Sequence, residues 1–476
     1  MRSRTRRCLI WGATVVAFAL HAEAVAGEPT VAATPSTLVN GEAVPASVFD
    51  AIGNDALATK QAPGFVLAVV RDGTVTYAKG FGFADIGRRI AVERDTRFAI
   101  GSLTKQFTAA AILLLAERGK LTLDDPLATY YPAFPTASTI TLRMLLNQTS
   151  GLHNYPFLAE RDWPVSGPID IDKIVSMLIA DKPDFAPGTR YEYSNANYTV
   201  LSAIVAKVGG TDEGAFLQRN IFGPLGMSAS GYGFAAQTAE TAMPYAGSGS
   251  FTVQPPFSLD LYAGAGAIVS NAPDMALWDA ALMSGRLLNQ SSMQRLWTAG
   301  HTASGAPIQY AMGFVPATLG GHREVWHNGF APGAGGYCYN AIFPDDKLAI
   351  IVLSNGSDFQ GVAERITSRV LAAYVATVED PRMTAIAKDW FHRLQSGTVD
   401  LSKVAPAFAQ RLTPDFLSQI HESLAGAPDP TDWVYLGSHA VPGAVIYRYS
   451  ITWAGATHTW SVGVTPEGKI AGSLLQ

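Results

Sequence analysis

Apolar and polar positions alternate along this chain in ways that mark out its elements. Phe65 to Val70 and Thr74 to Lys79 are β-rich runs around the turn signal Arg71-Asp72-Gly73, which predicts a hairpin that Gly80-Phe81-Gly82-Phe83 ends. An extended run, Arg97 to Gly101, gives way to a helical pattern from Ser102 to Arg118, with Gly119 as its C-cap. A short helix is expected over Thr141 to Leu146, stopping at Thr149-Ser150-Gly151, and longer ones over Tyr198 to Val208 and Asp274 to Met283. Strand patterns return at His322 to Trp326, Gly336 to Phe343 and Leu348 to Leu353, the last two joined by Pro344-Asp345-Asp346. An amphipathic helix, Val362 to Val375, closes the region. Strands at both ends of a long helical stretch predict an α+β arrangement in which one sheet takes strands from both ends.

A second block of pattern starts near residue 380, after Glu379-Asp380-Pro381 breaks the preceding helix. Helical patterns at Thr384 to Leu394 and Pro414 to Leu424 precede alternating strands at Val434 to Leu436, Val445 to Trp453, His458 to Val464 and Lys469 to Leu474. Helices first and a curled antiparallel sheet after resemble a cone-shaped NTF2-like domain. Its ionisable groups do not converge, so its expected role is structural or in shaping access to a cleft.

The N-terminus predicts an export signal. Arg2, Arg4, Arg6 and Arg7 precede the apolar stretch Cys8 to Leu20, and small-residue cleavage patterns follow at Ala22-Glu23-Ala24 and Ala24-Val25-Ala26. That stretch is short for a membrane span and no later segment is a better candidate, so the expectation is a periplasmic or secreted protein without a stable membrane anchor. The expected divisions are a signal over 1–26, a small polar linker over 27–45, a main domain over 46–378 and a C-terminal α+β domain over 379–476.

Composition narrows the function classes. With 48% hydrophobic and 15% charged residues the chain reads as folded with a large core. Its formal charge of −5 becomes more acidic once the arginine-rich signal is removed, and it has no basic cluster, which argues against nucleic acid and anionic membranes as partners. Loss of Cys8 leaves Cys338 alone, so no intrachain disulfide is expected, and Tyr337-Cys338-Tyr339 predicts a buried thiol. Scattered histidines without a His-Glu-x-x-His arrangement give no expectation of a metal or another cofactor.

Three short motifs carry candidate chemistry. In Ser102-Leu103-Thr104-Lys105 the serine and lysine lie three apart at a helix start, hence on one face, so a desolvated Lys105 amine can activate the Ser102 hydroxyl. Tyr193-Ser194-Asn195 follows the turn signal Ala186-Pro187-Gly188. Tyr193 there could pass a proton between Ser102 and a leaving group, and Asn195 could hold Lys105 and a substrate amide together. In His327-Asn328-Gly329, Gly329 permits close approach of substrate backbone, His327 offers a donor or charge, and the amide of Phe330 could join that of Ser102 in an oxyanion hole.

Ser102-x-x-Lys105, Tyr193-x-Asn195 and His327-x-Gly329, in this order, resemble the serine β-lactamase and penicillin-binding-protein superfamily. The likeness is to its class C-like branch, with D-alanyl-D-alanine carboxypeptidases, D-aminopeptidases and related esterases. Leu145-Leu146-Asn147-Gln148-Thr149-Ser150-Gly151-Leu152 resembles the family's Leu-Leu-x-His-Thr-Ser-Gly-Leu, and Ala265-Gly266-Ala267-Ile268-Val269-Ser270 its later glycine-rich turn. The resemblance covers about residues 45–378. It implies an antiparallel sheet flanked by helices plus an all-helical subdomain, and acyl transfer through a Ser102 acyl-enzyme to water. The implied substrates are small molecules or peptides, D-amino peptides foremost, with a carboxylesterase or a weak β-lactamase as the alternative and a non-catalytic binding protein behind both. Two departures stand out. Gln148 replaces the family's His, a change expected to tune packing rather than chemistry, and His327-Asn328 stands where β-lactamases favour Lys-Thr, which implies weak β-lactam turnover.

Overall fold

The computed structural model describes residues 44–154, 167–255, 257–374, 381–424, 428–441, 443–453 and 456–475. The expected export signal and the linker up to residue 43 lie outside the described residues. The chain divides after residue 375 into a larger unit and a C-terminal unit.

The larger unit contains helix α1 (Ala46–Ala58), strands β1 (Gly64–Arg71), β2 (Thr74–Asp85) and β3 (Ile90–Ala91), and helices α2 (Thr104–Glu117), α3 (Asn195–Gly209) and α4 (Ala272–Met283). Strands β4 (Val315–Leu319), β5 (His322–Phe330), β6 (Tyr337–Phe343) and β7 (Leu348–Ser354) follow, then helix α5 (Gln360–Tyr374). One antiparallel sheet runs β3-β2-β1-β7-β6-β5-β4, so strands from the two ends of the unit meet at β1 and β7, with Val66 opposite Leu353 and Ala68 opposite Ile351.

Both faces of the sheet are covered, which is why these strands read as unbroken apolar runs. Val66, Ala68, Val70, Ala349, Ile351 and Leu353 enter the core on one face, and Phe65, Leu67, Val69, Leu348, Ile350 and Val352 the core on the other. Each Val, Leu, Ile or Phe so buried contributes about 1.5–3 kcal/mol. The second face is closed by α1 through Phe49 and Ile52 and by α5 through Val362, Ile366 and Val370. On the first face α2 and α4 share a stack of Phe107 on Trp278, with ring centres 4.0 Å apart. Helix α2 is buried on every side from Thr104 to Leu115, so it has no polar stripe and its N-terminus opens inside the unit.

Three elements differ from the pattern reading. Strand β2 runs through Gly80 to Asp85, because Gly80 marks a close approach and not a stop: a Cβ there would lie 1.9 Å from the Val92 carbonyl oxygen. Strand β5 continues past Trp326 to Phe330, which places His327, Asn328 and Gly329 within a strand. Helix α3 begins at Asn195, three residues early, so Asn195 sits in its first turn and not on a loop.

In the C-terminal unit, helices α6 (Pro381–Ser396) and α7 (Pro414–Leu424) precede an antiparallel meander of β8 (Thr431–Val441), β9 (Ala444–Trp453), β10 (Ala456–Val464) and β11 (Ile470–Leu475). Phe391 of α6 meets Trp433, Trp453 and Trp460 edge-on, with ring centres 6.2, 5.9 and 5.0 Å away.

Candidate active site

Gly101–Leu103 form a single 3-10 turn that runs into α2, so Ser102 stands at the positive end of a buried helix. Gly101 has φ +54°, and a Cβ on it would lie 2.5 Å from the Phe330 nitrogen. One step along β5, a Cβ on Gly329 would lie 1.9 Å from the Ile100 carbonyl oxygen. The end of β5 is thus seated directly on the backbone of the Ser102 turn. On the other side, Ile100 donates its N–H to the Ile268 carbonyl at 3.0 Å, and Ile268 donates to Thr104 Oγ1 at 3.1 Å.

Lys105 is fully buried, and its Nζ lies 2.9 Å from Ser102 Oγ, 2.8 Å from Asn195 Oδ1 and 2.8 Å from the Ala265 carbonyl oxygen. Burial pushes this amine well below the ordinary lysine range, which favours its neutral form. A neutral amine has two N–H groups and one lone pair. Asn195 Oδ1 and the Ala265 carbonyl accept only, so they take the two N–H groups and leave the lone pair for the Ser102 hydroxyl proton. Tyr193 donates its hydroxyl to the same Ser102 Oγ at 2.9 Å, and its ring centre is 4.8 Å from Lys105 Nζ. The Ala265 carbonyl is presented by a strained turn in which Ala263 adopts φ 41°, ψ −137°, and Thr108 of α2 pins it by donating to Gly264 at 2.9 Å.

His327 is also buried, and its two nitrogens are assigned by their neighbours. Nδ1 lies 2.5 Å from the Asn328 carbonyl, which can only accept, so Nδ1 carries the proton and Nε2 accepts from the Tyr310 hydroxyl at 3.0 Å. Burial is the main cause that pushes its pKa down to about 3. The expected partial charge at neutral pH is therefore absent. An imidazole whose pKa falls from 6.5 to about 3 on folding stabilises nothing extra above pH 6.5 but costs stability progressively below it, since only the unfolded chain takes up the proton. The wild-type melting midpoint is therefore expected to fall as pH drops from about 6.5 towards 3, and a His327→Gln protein to show a flatter profile there; equal slopes in differential scanning fluorimetry would refute this.

The remaining motif residues separate. Asn195 is brought to Lys105 as described, and its backbone N–H donates to Asn154 Oδ1 at 3.0 Å. Asn328 alternates to the opposite sheet face from His327, within hydrogen-bonding reach of the Tyr337 hydroxyl and away from Ser102. Two participants lay beyond the motif reading, the Ala265 carbonyl and Tyr310. A glycine-rich turn marked the first, whereas nothing around Tyr310 signals its role. Cys338 is buried with its thiol pushed up to about 12, which keeps it protonated and inert. Among the described residues no His, Cys, Asp and Glu cluster could hold a metal ion, and no helix is long and apolar enough to cross a membrane.

Comparison with known proteins identifies the family. The family described as Beta-lactamase matches residues 49–374. A D-aminopeptidase of Brucella anthropi is 29% identical over 335 residues, 69% of this chain and 62% of that protein. Penicillin-binding protein 4* of Bacillus subtilis is 28% identical over 331 residues, 65% of this chain and 70% of that protein. Among solved structures, D-amino acid amidase from Ochrobactrum anthropi SV3 with L-phenylalanine amide aligns with a TM-score of 0.59 at 25% identity, covering 69% of this chain and 97% of that one. An octameric penicillin-binding protein homologue from Pyrococcus abyssi, at 20% identity and a TM-score of 0.59, covers 90% of this chain and 99% of its own, a likeness of fold. The family match spans more than half of the chain, and its larger unit has the corresponding sheet built from both ends: the chain belongs to the β-lactamase family of serine hydrolases.

Proposed function

We propose that this protein is a secreted hydrolase of amide bonds in D-amino-acid peptides and amides, working through an acyl-enzyme on Ser102. The observation that carries the reading is the placement of Ser102 Oγ 2.9 Å from both Lys105 Nζ and the Tyr193 hydroxyl, with the amine desolvated. Ser102 Oγ attacks the substrate carbonyl while Lys105 and Tyr193, titrating as one coupled unit, take its proton. The amides of Ser102 and Phe330 bind the developing oxyanion. Tyr193 returns the proton to the leaving amine, Asn195 orients Lys105 and the substrate amide, and water then releases the acyl group. Gly329 lets β5 seat against the Ile100 carbonyl of the Ser102 turn, where substrate backbone was expected to approach, and Asn328 supports the strand from its other face.

The neutral His327 favours substrates that need no counter-ion for a terminal carboxylate, as in D-amino-acid amides and N-terminal D-residues. This agrees with a D-aminopeptidase and a D-amino acid amidase standing among the similar proteins. The C-terminal unit keeps its NTF2-like reading, with a structural role. The export pattern of residues 1–26 supports a periplasmic or secreted location.

Turnover of D-alanine p-nitroanilide, an acylated D-Ala-D-Ala peptide and p-nitrophenyl acetate, with intact-mass analysis after fluorescent penicillin, tests the reading on one sample. The anilide is expected to be cleaved at least about tenfold faster than the carboxylate-terminated peptide, a difference of roughly 1.4 kcal/mol in the barrier. Preference for the D-Ala-D-Ala peptide would make the protein a carboxypeptidase. Ester turnover alone, abolished by Ser102→Ala, would make it an esterase.

A further inference from the structure

Gln148 has no part in the chemistry above, yet it is completely buried and adopts φ +66° directly beneath the Tyr193 segment. Its main-chain oxygen accepts the N–H of Glu192 at 3.0 Å. Its side-chain Oε1 accepts the N–H of Ser194, also at 3.0 Å. These are the residues on either side of Tyr193. A backbone N–H can only donate, so the atom facing Ser194 is the amide oxygen. Asn197 Nδ2 donates to that oxygen at 2.5 Å, which ties it to the first turn of α3, where Asn195 holds Lys105. Next to Gln148, the Thr149 carbonyl accepts the N–H of Gly188 at 2.7 Å, so the loop is also fastened upstream. Ser194, at the N-cap of α3, makes no side-chain capping bond, and its own N–H is the one held by the Gln148 amide oxygen.

We propose that Gln148 is a positioning residue for Tyr193, gripping the peptide groups on both sides of it and thereby setting the phenol against Ser102. The sequence comparison with the family suggested a packing role. The hydrogen bonds assign a geometric one, in which the main-chain oxygen holds Glu192 and the side-chain Oε1, the part a substitution removes, holds Ser194. The inference rests on the reading of Tyr193 as proton carrier. Removing Oε1 leaves the Ser194 N–H and Asn197 Nδ2 without their acceptor in a buried place, and the loop relaxes to find others. A displacement on the order of 1 Å at a reacting group can cost about 10²-fold in rate.

The test is a double-mutant cycle on the full chain with the amide substrate. Gln148→Met keeps length and apolar volume but has no acceptor, and is expected to lower kcat roughly 10- to 100-fold with KM within about twofold. In a Tyr193→Phe background the same change is expected to cost less than about threefold, because there is no phenol left to misplace. Gln148→His restores an acceptor nitrogen that protonation removes, so it is expected to recover much of the rate at alkaline pH and to show a second acid limb beside the one that Lys105 gives the wild type. The proposal fails if Gln148→Met retains kcat within twofold, or if the losses multiply in the double variant. Should Gln148→Met not fold, the pH profile of Gln148→His decides alone, and a profile identical to wild type overturns the proposal. Full activity in Tyr193→Phe would instead sink the proton-carrier reading itself, and this inference with it.

Discussion

Lys105→Met is expected to lower kcat/KM by about 10²–10⁴-fold, the range for removing a positioned general base. The Met side chain fills most of the same space but is one atom shorter and ends in a methyl group, so no basic nitrogen stands 2.9 Å from the Ser102 hydroxyl. Lys105→Arg is expected to be no better. A guanidinium keeps its proton at any working pH, and its planar fork does not fit three oxygens arranged around a single nitrogen at 2.8–2.9 Å. The wild-type profile carries the same information. Activity should rise with pH along an acid limb that reports loss of the lysine proton, and burial places that limb well below the ordinary value of 10.5. Steady-state rates with the amide substrate across pH, for wild type and both variants, check this. A Lys105→Met enzyme within tenfold of wild type would remove the amine from the base role and leave Tyr193 as the sole candidate.

Gly329→Ala is expected to cost nearly as much from outside the motif's titratable groups. Its Cβ would sit 1.9 Å from the Ile100 carbonyl oxygen and 3.2 Å from Leu103 Cγ, so either β5 or the Ser102 turn has to move. The first of these contacts is with backbone, which cannot rotate away as a side chain can. Whichever moves, the amides of Ser102 and Phe330 part, and losing one oxyanion donor costs about 10²–10³ in kcat. Overpacking at such a site also destabilises by about 1–3 kcal/mol. The control is Gly119→Ala, exposed and directly after the C-cap Arg118 of α2, where φ is +66° and a Cβ meets nothing within 4 Å. It should lower the melting midpoint through backbone strain alone and leave kcat untouched. If Gly329→Ala retains more than a tenth of the wild-type kcat, the Phe330 amide is not part of the oxyanion site.

The framework of the larger unit was readable from its strands because Phe65 to Val70 and Leu348 to Leu353 are apolar at every position, which only a sheet covered on both faces rewards. The nucleophile and its lysine were readable because a three-residue spacing on a helix has one geometric meaning. Properties set by residues far apart in sequence were not. The neutrality of His327 depends on its burial beside Tyr310 and Lys105, and no local pattern encodes that environment. Gly80 read as a break because a glycine in a strand looks the same whether it ends the strand or lets a neighbour approach. Asn195 read as a loop residue because Ser194, Asn195 and Asn197 are polar and the helical pattern registers only from Tyr198, whereas the helix begins at Asn195 with Asn195 and Asn197 buried. Pairings such as Phe98–Ala99 with Val269–Ser270 are two residues long, too short for any periodicity to register.

The meeting of β1 with β7 has a consequence for how the protein comes to be folded. Residues 65–71 must wait for residues 348–354 before their central pairing can form, so the sheet cannot close until nearly the whole larger unit is available. Contacts of such long sequence separation make folding slow, because the loop between them must be closed before the pairing yields any stabilisation. Until then the β1 edge, apolar on both faces, stays open to pairing with other chains. A polypeptide cut short before Leu348 would therefore be prone to aggregation and could not assemble the sheet on which the Ser102 turn is seated.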